Sequence, residues 1–153
     1  MTLVSITVCV RDGVDWVDGC IKSLIEQTHR PLEIIVVDDG STDGSRQKVE
    51  LWQEHEFIST ILQEPLGLSA ARMAAVNAAK GEWVAITDID VRPEPDWIEN
   101  LLLASEPLEE ENIVAITGRT VFNRGDDTIS IIRSSEVEAK YRSRSRLTSL
   151  ANG

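Results

Sequence analysis

The chain has 153 residues, the size of one typical soluble domain, and its hydrophobic content of 42% is enough for a core. Its formal net charge of −11 excludes general nucleic-acid binding, because phosphate neutralisation needs a basic face. No apolar window approaches the ~18 residues of a membrane span, and no basic and apolar leader begins the chain, so we expect a cytoplasmic protein. The two cysteines, Cys9 and Cys20, are too few for a disulfide framework.

Apolar, β-branched runs that are typical of strands alternate with stretches of helical periodicity. The predicted strands occupy residues 3–10, 32–37, 57–62 and 83–87, with two further candidates at 113–117 and 129–132. The strand predicted at residues 32–37 is apolar enough to be buried on both faces of a sheet. The alternation predicts an α/β fold with a mostly parallel sheet and helices on both faces.

The predicted helices fill the intervals between these strands. The first has apolar residues at spacings of three and four, and Asp15 is its predicted N-cap. Asp43 can cap the second helix in the same way. The alanine-rich residues 69–79 favour a third helix, for which Gly81 is the predicted C-terminal stop. A fourth helix is predicted over residues 96–104.

Two acidic pairs stand where predicted strands end. Asp38 and Asp39 follow the second strand, and Asp88 and Asp90 follow the fourth. The carboxyl ends of neighbouring parallel strands face the same crevice, where ligands bind in open α/β sheets. Neither motif contains a positive charge to balance its carboxylates, so the pattern predicts a divalent cation together with a phosphate-bearing ligand. Such a pattern is typical of a nucleotide-diphosphate site.

Asp88 and Asp90 are the candidate metal ligands. Residues i and i+2 of an extended segment point the same way, so both carboxylates can reach one ion. A site that offers only oxygen ligands selects Mg²⁺ or Mn²⁺ over Zn²⁺. A DxD sequence also occurs in solvated acidic loops, and its position after a buried strand favours the metal site.

Asp39 and Arg72 are the candidate nucleotide contacts outside that motif. The Asp39 carboxylate can accept a hydrogen bond from a base N–H or a ribose hydroxyl, and Gly40 after it permits a tight turn with positive φ. Asp-rich turns also arise from helix capping, which is our interpretation of Asp43. Arg72, near the start of an alanine-rich helix, can pair with a phosphate, although a lone arginine is more often a surface charge.

The residues near the end of the chain differ in character, because basic side chains alternate with serine and tyrosine over residues 140–146. One interpretation is a solvated helix or tail. The other is contact with an anionic ligand, or peripheral contact with an anionic membrane surface. The chain stops without a closing element, so we expect residues 1–153 to be a single domain that belongs to a longer protein.

Five blocks in order resemble the nucleotide-sugar-binding half of the inverting glycosyltransferases of family 2, which have the GT-A fold. The blocks are VSITV (4–8), CIKSLIEQT (20–28), LEIIVVDDGSTDG (32–44), GLSAAR (67–72) and AKGEWVAITDID (79–90). They cover about the first hundred residues. The resemblance implies a Rossmann-like GT-A fold for transfer from nucleotide-diphosphate sugars, with this chain as the donor-binding portion.

The same resemblance implies roles for individual residues. It implies that Asp39 contacts the base, usually uracil, that Asp88 lies by the ribose or diphosphate, and that Asp90 binds Mg²⁺ or Mn²⁺. Arg72 matches a basic position beside the nucleotide, and Gly67 begins the block that contains it.

Three departures from the family pattern matter. Cys9 and Arg11 lie where the first strand of the family usually ends in Pro-x-Tyr-Asn, which changes the wall near the base and leaves the donor nucleotide open. Met73 replaces the asparagine that usually follows the Arg72 position. The catalytic carboxylate of the family lies in the acceptor-binding half, and no acidic motif in residues 119–153 matches it, so we expect the base beyond Gly153.

The expected function is divalent-metal-dependent transfer of a sugar from a nucleotide-diphosphate sugar, with UDP first among nucleotides, to a hydroxyl of a carbohydrate, lipid-linked or protein acceptor. One alternative is a noncatalytic nucleotide-sugar-binding module, which the missing base would suit. Another is a sugar nucleotidyltransferase, whose Gly-rich loop after the first strand is matched poorly by residues 9–13. A receiver domain would want a lysine near the end of a fifth strand, and residues 113–119 supply none.

Overall fold

The computed structural model describes residues 1–105, 115, 116 and 118. The chain divides after Leu103, and the elements below belong to the first unit, Met1–Leu103, apart from the end of the last helix. These elements are β1 (Val4–Val10), α1 (Val14–Ile25), β2 (Leu32–Asp39), α2 (Ser45–Trp52), β3 (Ile58–Gln63), α3 (Leu68–Ala78), β4 (Trp83–Asp88) and α4 (Trp97–Ser105). The predicted strand at 129–132, most of that at 113–117 and the basic residues 140–146 lie outside the described residues.

The four strands form one parallel sheet in the order β3-β2-β1-β4. Its register brings the ends of the strands together, since Cys9 pairs with Asp88 on one side and Val10 pairs with Asp38 on the other. Asp39, the last residue of β2, pairs with Gln63, the last residue of β3. The predicted parallel α/β fold is therefore confirmed, and both acidic motifs begin at the same edge of the sheet.

Helices cover both faces of the sheet, as predicted. On one face, α1, α2 and α4 pack onto alternate residues of β1 and β2 through buried side chains such as Leu24, Val49 and Ile98. On the other, Ala71 and Ala75 of α3 contact residues of β2 such as Ile35. Burial of each large aliphatic side chain contributes roughly 1.5–3 kcal/mol, so these two layers fix the strand ends in place. No helix in the described part of the chain is long and apolar enough to cross a membrane.

The predicted cap of α1 is wrong. The helix begins after Gly13, and Asp15 lies inside its first turn. The free N–H groups are satisfied by the loop before α2, because Gly13 donates to the Ser45 hydroxyl at 2.9 Å and Val14 donates to the Asp43 carboxylate at 2.9 Å. The predicted cap of α2 is also wrong, because its N-cap position is Gly44 and Asp43 lies one residue before it. Asp43 still accepts from the backbone N–H of Ser45, the first residue of α2, at 2.9 Å.

Gly81 does not serve as the predicted helix stop. α3 ends at Ala78, and Ala79 is already extended with ψ 135°. Gly81 instead lies against β1, where a Cβ atom would be 2.6 Å from the backbone nitrogen of Ser5. Its role is a close approach of backbone to backbone, which brings the chain back to the start of β4.

Candidate functional site

A cleft of about 210 Å³ opens at the carboxyl edge of the sheet, between the ends of β1 and β2 and the start of α3. It is lined by Cys9, Val10, Arg11, Asp39, Gly67, Leu68 and Ala71. Four of the six predicted nucleotide-binding residues are among these. The sheet register explains this, since β1 and β2 are neighbours and end at the same level.

The Asp39 carboxylate is almost fully buried, with 3% of its side chain exposed, and it is held by four groups. The amide of Gln63 donates to Oδ1 at 2.7 Å and the backbone N–H of Leu66 donates to the same atom at 2.8 Å. The backbone N–H of Gly67 donates to Oδ2 at 2.9 Å, and Nη1 of Arg11 lies 3.7 Å from Oδ2. Asp39 therefore fixes the segment that leads into α3.

These contacts also set the ionisation of Asp39. Burial acts to raise its pKa, but the hydrogen bonds from Gln63, Leu66 and Gly67, with the charge of Arg11, outweigh burial and hold the pKa below the ordinary value. The carboxylate is thus charged at neutral pH. A buried anion in a cleft is suited to accept a hydrogen bond from a ligand N–H.

Asp38 faces the other side of the sheet and is fully buried. Its Oδ2 accepts from the backbone N–H of Ser41 at 3.2 Å and lies 3.3 Å from Nε of Arg46. Its Oδ1 has no hydrogen-bond partner. Arg46 also donates to the carbonyl of Gln63 at 3.4 Å, so it connects the ends of β2 and β3. The positive charge that the acidic motif lacks in sequence comes from this helix residue.

Gly67 explains how α3 starts at the cleft. Its φ of 93° and ψ of 160° are accessible to glycine and strained for other residues. Its N–H points to Asp39 while its carbonyl accepts from Ala71 in the first turn of α3. The N-terminus of α3, which carries a partial positive charge, thereby borders the cleft.

The cleft around Asp39 is one corner of the site, and Arg72 and Asp88 form a second corner. Nη2 of Arg72 donates to Oδ1 of Asp88 at 2.8 Å, and both side chains are about half exposed, at 41% and 59%. They are absent from the cleft lining, yet Asp88 pairs with Cys9, which does line it. Burial raises the pKa of the Cys9 thiol to about 11, with a smaller opposing influence from Arg72. The thiol is therefore neutral between the two corners.

Asp90 is exposed in the turn that follows β4, where Val91 donates to the carbonyl of Asp88 at 3.1 Å. Side chains alternate between the two faces only along an extended strand, and β4 ends at Asp88. The prediction that the side chains of Asp88 and Asp90 point the same way therefore loses its basis. Among residues 1–105, 115, 116 and 118, no three His, Cys, Asp or Glu side chains gather closely enough to hold a metal ion.

Sequence reasoning missed Gln63 and Arg46 at this site. Gln63 follows the predicted end of its strand by one residue, and its position opposite Asp39 depends on the register. Arg46 lies on the helix after the acidic turn, and only the packing of α2 brings it to Asp38. A register derived from the two strand ends could have identified Gln63.

The family model described as Glycosyl transferase family 2 matches residues 5–152. A cholesterol galactosyltransferase of Borreliella burgdorferi is 36% identical over 99 residues, which are 64% of this chain and 28% of that protein. Glycosyltransferase GlyA of Streptococcus pneumoniae is 33% identical over 124 residues, which are 80% of this chain and 18% of that protein. The chain therefore spans less than a third of the length of these relatives.

Two solved structures are similar to this one. A mannosyltransferase of Pyrobaculum calidifontis in complex with GDP-Man and Mn²⁺ has a TM-score of 0.62 and 29% identity, covering 67% of this chain and 32% of that one. TarS of S. aureus in complex with UDP-GlcNAc has a TM-score of 0.60 and 21% identity, covering 82% of this chain and 39% of that one, and shows likeness of fold. Since the family model matches nearly the whole length, the chain belongs to glycosyltransferase family 2.

Proposed function

We propose that this chain is the donor-binding part of an inverting glycosyltransferase that uses a nucleotide-diphosphate sugar and a divalent cation. The observation that carries the proposal is the meeting of two corners at one sheet edge. One corner is the cleft with Cys9, Arg11 and Asp39, and the other is the Arg72–Asp88 pair. UDP is the favoured nucleotide, and the acceptor is a hydroxyl of a carbohydrate, a lipid-linked sugar or a protein.

In this proposal Asp39 receives the base. Its Oδ1 already accepts two hydrogen bonds, whereas Oδ2 accepts one, from Gly67. A carboxylate oxygen can accept two hydrogen bonds, so Oδ2 has the capacity to accept from the N–H of a uracil ring. Arg11, which is half exposed beside Asp39, forms the adjacent wall and contributes to the choice of base.

The residues at the end of β4 fit a hard divalent cation shared with a ligand. Asp88 and Asp90 are exposed and offer carboxylate oxygens, the ligands that Mg²⁺ and Mn²⁺ prefer. Two carboxylates are too few for a cage built by protein alone, which suits an ion whose other positions are filled by water and diphosphate. When bound, the cation would stabilise negative charge on the departing diphosphate.

The proposed chemical step assigns a role to each of these groups. Arg72 supplies a half-exposed guanidinium beside Asp88, where it can pair with a phosphate oxygen. Asp39 and Gly67 hold the nucleotide while a carboxylate outside the described residues deprotonates the acceptor hydroxyl, which attacks the anomeric carbon from the face opposite the diphosphate. Attack from that face inverts the configuration and needs no covalent enzyme intermediate.

The test measures UDP binding by isothermal titration calorimetry with Mn²⁺ and with excess chelator. We expect tighter binding with Mn²⁺, no gain from Mn²⁺ in Asp90→Ala, and weakened discrimination between UDP and GDP in Asp39→Asn. Glu82→Ala serves as the matched control, because Glu82 is an exposed carboxylate one residue before β4, at the opposite edge of the sheet. Equal affinity with and without Mn²⁺ in the unaltered chain would contradict the proposal.

A second measurement separates transfer from binding. The chain is incubated with UDP- and GDP-sugars and simple acceptors, and products are analysed by mass spectrometry. We expect donor binding with little or no transfer, because loss of a positioned base lowers the rate by about 10²–10⁴-fold. Rapid transfer would mean that the base lies within residues 1–153.

A further inference from the structure

Arg92 makes three hydrogen bonds to backbone carbonyls around the turn that carries Asp90. Its Nη1 donates to the carbonyl of Ile89 at 3.0 Å and to that of Val91 at 2.8 Å, which flank Asp90 on both sides. Its Nη2 donates to the carbonyl of Trp16 in α1 at 2.9 Å. One guanidinium thus ties the turn after β4 to the first turns of α1.

The surroundings of Arg92 suit this arrangement. Its guanidinium carbon lies 5.9 Å from the centre of the Trp16 ring, at cation–π distance. A Cβ atom at Gly19 would lie 2.7 Å from both Nε and Nη2 of Arg92, so the guanidinium occupies space that only a glycine leaves open. In the described part of the chain, no carboxylate lies within ion-pair distance of Arg92. Its donors serve the backbone of the turn.

We propose that Arg92 is a positioning residue for the turn that presents Asp90, and that Gly19 is required because it admits the Arg92 guanidinium against α1. This inference rests on the proposed role of Asp90 as a metal ligand. The planar guanidinium bonds both carbonyls that flank Asp90, which restricts the backbone that carries its carboxylate. A ligand already held in place loses less freedom when the cation and diphosphate bind.

The charge of Arg92 acts in the opposite direction. A guanidinium near a cation site repels the cation, so removal of the charge alone would strengthen metal binding. If Arg92 loses its hydrogen bonds to the two carbonyls, the turn that carries Asp90 becomes less restricted, even when the charge of Arg92 is kept. Variants that separate geometry from charge therefore decide the question.

Gly19→Ala is the decisive variant, since it displaces the guanidinium and keeps its charge. The measured quantity is the Mn²⁺ enhancement, the ratio of UDP affinities with Mn²⁺ and with excess chelator. We expect the enhancement to fall about 10-fold, the scale seen when groups that orient metal ligands are lost, while affinity in chelator is unchanged. The melting temperature should stay the same or rise, because alanine favours a helix interior over glycine. Loss of enhancement without loss of stability is a result that a merely structural role would not give.

Arg92→Met tests the same contacts from the other side, and Arg30→Met is its control. Arg30 also donates to three backbone carbonyls, those of Ile25, Gln27 and His29, but it lies after α1 near the start of β2, at the opposite edge of the sheet. We expect a reduced enhancement in Arg92→Met and a normal one in Arg30→Met. Full or increased enhancement in Gly19→Ala, which keeps the charge of Arg92, would overturn the inference. Absence of any enhancement in the unaltered chain would instead overturn the proposed metal site.

Discussion

The two acidic corners of the site are built in opposite ways. Asp39, at the end of β2, is buried and receives hydrogen bonds from one side chain and two backbone N–H groups. Asp88, at the end of β4, is more than half exposed and forms an ion pair with Arg72. The first corner is complete within the protein, and the second presents carboxylates to solvent. A rigid corner suits recognition of a fixed shape such as a base, and an open corner suits ligands that bring their own cation.

The largest effect should come from exchanging Asp39 for alanine, and Asp88→Ala is the comparison. Asp39→Ala leaves the donors of Gln63, Leu66 and Gly67 without their acceptor in a buried site, so we expect the free energy of unfolding to fall by about 3 kcal/mol. Asp88→Ala removes an exposed ion pair and should cost less than about 1 kcal/mol. Urea titration followed by circular dichroism measures both. Similar losses in the two variants would refute the contrast between the corners.

A somewhat smaller effect is expected at Gly40, which follows Asp39. Its φ is 72°, and a Cβ atom would lie 2.8 Å from the backbone nitrogen of Pro65, which cannot move aside alone. We expect Gly40→Ala to lower the free energy of unfolding by about 2 kcal/mol or more. Gly44→Ala is the control, because its φ is also positive but its Cβ atom would meet Val14 at an ordinary 3.5 Å. If both variants lose the same stability, contact with Pro65 does not contribute to the cost of Gly40→Ala.

The smallest expected effect concerns pH. The pKa of Asp39 is below its ordinary value in the folded chain, so its contribution to stability is present above the unfolded value of about 3.9 and is lost as the pH falls through the folded value. The difference in unfolding free energy between the unaltered chain and Asp39→Asn should be constant from pH 7 to 5 and shrink below about 4. Asp18 and Asp43 also have lowered pKa values, but both are retained in the variant. A difference that does not change down to pH 3 would show that ionisation of Asp39 is irrelevant to stability.

Most of the fold could be predicted from the sequence because its signals are local. The strands are runs of β-branched residues, and the predicted bounds of all four differ from the observed ones by two residues or fewer. The cap of α1 could not be predicted, because its acceptors belong to Asp43 and Ser45, about 30 residues away. Asp15 is a good capping residue by type, but tertiary contacts placed the helix start two residues earlier.

The candidate site follows the same division. Cys9, Arg11, Asp39 and Gly67 line one cleft. Asp39 could be predicted because it ends a strand, and the other three because of where they lie in the family pattern. The groups that hold them in place could not be seen in advance. Gln63 depends on the register, and Arg92 bonds to backbone carbonyls that carry no sequence signal. The roles of the site residues in ligand binding stay predictions.

The position of β1 between β2 and β4 has a thermodynamic consequence for any ligand that reaches both corners. Neighbouring strands lie about 4.8 Å apart, so the ends of β2 and β4 are separated by about 10 Å. Under the proposed function, uridine and pyrophosphate offered as separate molecules would each bind one corner with its own weak affinity. Joined in UDP, the second contact becomes intramolecular, with an effective concentration of the order of mM or higher. Under this proposal, the separation that β1 sets between the ends of β2 and β4 decides which linked ligands can contact both corners at once and so bind more tightly.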